Sequence, residues 1–103
     1  ITSVNDIVSN EQIASGKTDL SIKNFPNPFF GQTTIEYELK TNGNVLFQIW
    51  DESGRIIENK NIGQKQAGIY SFQPETQNWK SGIYYACIYQ NGKRKVTRLI
   101  LNK

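Results

Sequence analysis

The chain has 103 residues, enough for one domain with a single modest core and little room for a deep catalytic cleft. Its net charge of +3 is a weak basic bias, and the only dense cationic cluster (Lys93, Arg94, Lys95, Arg98) lacks the stacking-aromatic motif of a nucleic-acid binder. It has no His and one Cys, which excludes Ser-His-Asp and Cys-His nucleophilic schemes, His-ligated zinc and an internal disulfide.

Ile is the dominant apolar residue, with thirteen copies, and Thr is frequent. Such β-branched residues favour strands. The absence of Met suggests a piece or processed product of a longer protein. No apolar run reaches the 18 residues that a membrane-crossing helix needs, so no membrane insertion is expected.

Residues 1–18 are polar, with sparse apolar positions, and read as a flexible linker. From Asp19 the pattern changes to short strands. Leu20 and Ile22 alternate with Ser21 and Lys23. In Phe25-Pro26-Asn27-Pro28-Phe29 each proline fixes its own φ and forces the preceding residue to be extended. This segment is expected to be a stiff crossover whose Asn27 amide bonds local backbone.

Thr33–Leu39 alternates, with Ile35, Tyr37 and Leu39 on one face, as a half-buried strand does. Asn42-Gly43 predicts a hairpin turn. Val45, Phe47 and Ile49 form the next inward row, and Asp51-Glu52-Ser53-Gly54 a second turn. Arg55–Ile62 is polar enough for an edge strand, and a loop over 63–68 precedes a strand at Ile69–Phe72. A longer connection, Pro74–Ser81, carries Trp79. Gly82–Gln90 is the most apolar strand and is expected to be central, with Cys87 as a small buried hydrophobe. Asn91-Gly92 predicts a hairpin into a last strand, Lys93–Leu101. Seven strands with turn signals every 8–12 residues predict an all-β, immunoglobulin-like antiparallel β-sandwich.

The chemistry of an enzyme is missing. There is no phosphate-binding glycine loop and no metal or cofactor site is expected. Glu36 and Glu38 share a strand face about 7 Å apart, but two exposed neighbours lack the asymmetry of an acid–base pair. Asp51 and Glu52 offer too few oxygens for calcium. Trp79 and Tyr84 are expected to cover the ends of the core, and Trp50 is the best-exposed ring for stacking on a sugar.

Four motifs in order carry a family resemblance: Phe25-Pro26-Asn27-Pro28-Phe29 with Thr33-Thr34-Ile35; Val45 through Trp50 with Asp51-Glu52-Ser53-Gly54-Arg55; Ser81-Gly82-Ile83-Tyr84-Tyr85; and the basic last strand, Lys95 to Lys103. Over residues 19–103 the chain resembles the type A C-terminal sorting domain of the type IX secretion system of Bacteroidetes. Trp50 stands where such domains often carry Tyr, and Arg98 where Lys is frequent. The resemblance implies a non-catalytic address that sends an attached cargo through the periplasm and across the outer membrane to the cell surface or medium. It implies as partners an outer-membrane translocon and a surface sortase that removes the domain.

On that reading Pro26, Asn27 and Pro28 present a rigid backbone shape to the translocon, and Lys95, Arg98 and Lys103 present charge. The last strand alternatively offers an edge for strand addition. Gly54 belongs to the second turn, Gly82 supplies backbone freedom at a strand start, and Tyr84 packs into the core. The competing reading is a carbohydrate-binding or adhesive β-sandwich of a secreted enzyme, which needs exposed coplanar aromatics.

Overall fold

The computed structural model describes residues 20–103; the linker expected over 1–18 lies outside them. The described chain forms seven strands and no helix: β1 (Leu20–Phe25), β2 (Thr34–Leu39), β3 (Gly43–Asp51), β4 (Ile56–Lys65), β5 (Gly68–Phe72), β6 (Gly82–Gln90) and β7 (Lys93–Leu101). They build two antiparallel sheets, ordered β1-β2-β5 and β4-β3-β6-β7. The fold is therefore the seven-stranded, immunoglobulin-like antiparallel sandwich.

The core follows the period-2 patterning of the strands. Ile35, Tyr37 and Leu39 of β2 face Val45, Phe47 and Ile49 of β3 and Tyr84, Ala86 and Ile88 of β6, all buried. The core has two ends. Leu20, Tyr37, Leu39, Val45 and Ile88 pack at one. Phe29, Ile35, Phe47, Ile49, Tyr84, Ala86, Leu99 and Leu101 pack at the other. Phe72 meets Phe47 edge-on at 4.8 Å between ring centres and bridges the two clusters.

Three local expectations are corrected. Asn42-Gly43 is not a hairpin, because β2 and β3 belong to different sheets. The pair is an inter-sheet crossover, pinned by the Ala67 N–H, which donates to Asn42 Oδ1 at 2.8 Å. The Asn91 carboxamide packs against Gly43 where a β-carbon would stand, so a larger residue there would push that side chain aside. The loop expected over 63–68 is mostly strand. A bulge at Ile62, seen as the shift from the Leu46–Asn61 to the Val45–Gly63 pairing, carries β4 on to Lys65. Only Gln66 and Ala67 then separate β4 from β5. The third correction concerns Asn27, described below. Asn91-Gly92 does form its hairpin, with φ of 52° and 78°, and β6 does lie inside its sheet, with β4 at an edge.

Candidate functional site

After β1 the chain leaves the three-stranded sheet and lies along the outer edge of β7. Both Phe25-Pro26 and Asn27-Pro28 peptide bonds are cis. Phe29 enters the core fully buried and forms a short parallel bridge with Leu101. Its N–H donates to the Ile100 carbonyl and its carbonyl accepts from the Asn102 N–H, both at 2.8 Å.

Asn27 repeats this pattern with its side chain. Its Nδ2 donates to the Arg98 carbonyl at 2.9 Å, and its Oδ1 accepts from the Ile100 N–H at 3.0 Å. The carboxamide, having the donor and acceptor of a peptide group, replaces one rung of a β-ladder between two prolines. The expectation that it bonds local backbone is corrected: its partners lie more than 70 residues away. The C-terminal half of the β7 edge is thereby occupied and is not open for strand addition there.

Side chains behind this segment hold it in place. Thr33, buried, donates from Oγ1 to the Pro26 carbonyl at 3.0 Å and accepts from Asn24 Nδ2 at 3.4 Å. Asn24 Oδ1 in turn accepts from Thr97 Oγ1 of β7 at 3.1 Å. Asn24 and Thr97 escaped the sequence reading because a strand pattern shows only that they are polar.

All four sequence motifs converge at this end of the sandwich. Gly82 is paired with Leu101, Tyr84 with Leu99 and with Asp51, and Phe29 with Leu101. Tyr84 packs into the core as expected, stacks on Trp79 at 4.4 Å between ring centres and donates its hydroxyl to the Lys80 carbonyl at 2.7 Å. Gly54 closes the β3–β4 turn at φ +92° and Gly82 starts β6 at φ +153°, conformations that L side chains rarely adopt. Asp51 ties the turn: Oδ1 accepts from the Ser53 N–H, the Ser53 hydroxyl and the Arg55 N–H, and Oδ2 pairs with Arg55 Nε. The Ser53 hydroxyl, then the Arg55 N–H, hold its carboxyl below the ordinary value of 3.8.

The three cations expected to act together are spread apart. Strand alternation places Lys95 on the inward side of β7, with Thr97 and Leu99. Arg98 is on the outward side, with Arg94 and Val96. Lys103 lies past the strand end, where its Nζ donates to the Gln77 carbonyl and its N–H to Ser81 Oγ, both at 2.9 Å. Arg98 and Lys103 adjoin the Pro-Asn-Pro segment and the start of β6, respectively, whereas Lys95 is toward the Asn91 turn.

Comparison with known proteins decides the family. The model of the secretion system C-terminal sorting domain matches residues 23–102. The chain belongs to this family. It is thus a type IX C-terminal sorting signal, a non-catalytic kind of domain that marks proteins secreted to the cell surface or extracellular space. A solved structure of dimeric latent PorU from Porphyromonas gingivalis is similar, with a TM-score of 0.56 and 14% identity over 89% of this chain. At that identity the likeness concerns the fold, and the sorting domain spans only 10% of the PorU chain. No curated protein matches.

The other candidate groups of the sorting domain have structural partners. Glu36 pairs with Lys23 at 3.5 Å and Glu38 with Lys40 at 2.9 Å on the exposed face of the three-stranded sheet. Trp50 is half-buried and its indole N–H donates to Gln48 Oε1 at 3.0 Å. Cys87 is buried, and burial pushes its thiol above the ordinary range, away from the reactive thiolate.

Proposed function

We propose that residues 19–103 are a self-contained address and that residues 1–18 connect it to an upstream cargo. The cargo crosses the periplasm, the outer-membrane translocon reads the domain, and a surface sortase cuts in or before residues 1–18. The surface read by the translocon is the motif end: Pro26, Asn27 and Pro28 with Arg98 and Lys103, while Lys95 adds charge from the far half of β7.

One observation carries this reading. The motifs, widely separated in sequence, are brought together at the end of the sandwich opposite Leu20, where any upstream chain attaches. An address shared by different cargos must be legible with the cargo in place. A rigid segment bonded at both its side chain and its backbone meets that need with little ordering cost on binding.

The test is export of a fluorescent protein carrying residues 1–103 at its C-terminus, in a host with a type IX system. Pro26→Ala with Pro28→Ala, and charge reversal at Arg98 and Lys103, are expected to leave a folded domain whose cargo stays inside. Lys95→Glu is expected to have the smaller effect. Export at the wild-type level from both the proline and the Arg98/Lys103 variants would reject this surface.

A further inference from the structure

The outward faces of the two sheets differ. The three-stranded sheet shows water Lys23 paired with Glu36, flanked by Ser21, Glu38 and Ser71, with Phe25 and Ile69 as its exposed apolar side chains. The four-stranded sheet shows aromatic rows instead. Trp50, Tyr85 and Arg98 lie side by side across β3, β6 and β7, and Leu46, Tyr89 and Arg94 form the parallel row beyond. Between the two arginines stands Val96, 46% exposed.

Several polar groups of this face bond one another. Trp50 Nε1 and Tyr89 Oη both donate to Gln48 Oε1, at 3.0 and 3.2 Å, and Gln48 Nε2 donates to Asn59 Oδ1 at 3.2 Å. What remains is ring and aliphatic surface bordered by two exposed guanidiniums. Among the described residues neither Arg94 nor Arg98 has a carboxylate within ion-pair distance, and the outward rows of β3, β6 and β7 hold no acid. A protein surface would find the Trp, Tyr and Arg side chains that dominate binding energy at protein interfaces.

We propose that the outward face of the four-stranded sheet docks a folded protein partner whose contact surface is apolar, with carboxylates along one border to meet Arg94 and Arg98. Four residues of strand set those carboxylates roughly 13 Å apart. Charge complementarity selects the partner and orients it, and the rings supply the buried area. The proposal rests on the sorting function, since the partner is met during export. It adds to the motif end a second, laterally placed contact that includes Arg94, Val96 and Tyr89.

The experiment uses the same full-length fusion. Arg94→Glu is compared with Lys23→Glu, an equal charge change on the other sheet, and thermal melting verifies that both variants fold. The arginine variant is expected to lower exported fluorescence at least about tenfold, and the lysine variant less than about twofold. A photo-cross-linking phenylalanine placed at position 96 of the exported wild-type fusion is expected to give a protease-sensitive adduct that the Arg94 reversal abolishes. Equal export of wild type and arginine variant would overturn this inference alone, as would adducts only to lipopolysaccharide or to a second copy of the fusion. Retention of a folded wild-type fusion would overturn the sorting function itself.

Discussion

Asn27→Ala isolates the rung that closes the β7 edge. The substitution removes two hydrogen bonds, to Arg98 O and from Ile100 N–H, and touches no core side chain. A net hydrogen bond contributes about 0.5–1.5 kcal/mol. The site is exposed, so water satisfies the freed groups and the sum falls in the lower half, at about 1–2 kcal/mol. At about 4–8 °C per kcal/mol for a domain of this size, the melting temperature should fall by about 5–15 °C. Asn27→Asp should be at least as harmful at neutral pH, because a carboxylate still accepts from Ile100 but repels the Arg98 carbonyl. Protonation restores the donor, so the folded state raises that carboxyl's pKa, and the variant should regain stability as the pH falls through the raised value. Circular dichroism melts of both variants from neutral to acid pH measure this. An Asn27→Ala melt within about 1 °C of wild type would refute the ladder-replacement role.

Phe29→Ala should cost about 3–5 kcal/mol in urea unfolding, because the ring is fully buried where both sheets meet; a loss below about 1 kcal/mol would show that the ring is not packed there. Gly54→Ala and Gly82→Ala should each cost about 1–3 kcal/mol from backbone strain alone, since nothing lies within 4 Å of the added β-carbon at either site, and unchanged urea midpoints would contradict this. Asp51 has a folded pKa below its unfolded one, so its contribution is present above 3.8 and is lost as the pH falls below that through the lowered value. Asp51→Asn should therefore flatten the acid limb of the stability–pH curve, and an unchanged limb would argue against the turn network.

The strands and their inward rows were legible because period-2 alternation is local: Ile35-Tyr37-Leu39 and Val45-Phe47-Ile49 announce their buried face within a few residues. Sheet membership was not, because Asn42-Gly43 serves equally as hairpin or crossover until the partners of β2 and β3 are known. Gly63 suggested a loop, whereas a bulge lets a strand pass through it. The site divided along the same line. Its residue types were visible as motifs, but Asn27 found its partners across the length of the chain, a link that no spacing rule encodes. The cluster of Lys95 and Arg98 looked continuous because they are three residues apart. An odd spacing on a strand sends side chains to opposite faces.

The most direct measurement is localisation of a periplasm-targeted fluorescent protein fused to residues 1–103 in a host with the type IX system and in its translocon-deleted counterpart. Fluorescence on the surface or in the medium of the first, and in the periplasm of the second, is the result the sorting function requires. Fluorescence trapped in the periplasm of both hosts, with the domain folded, would contradict it.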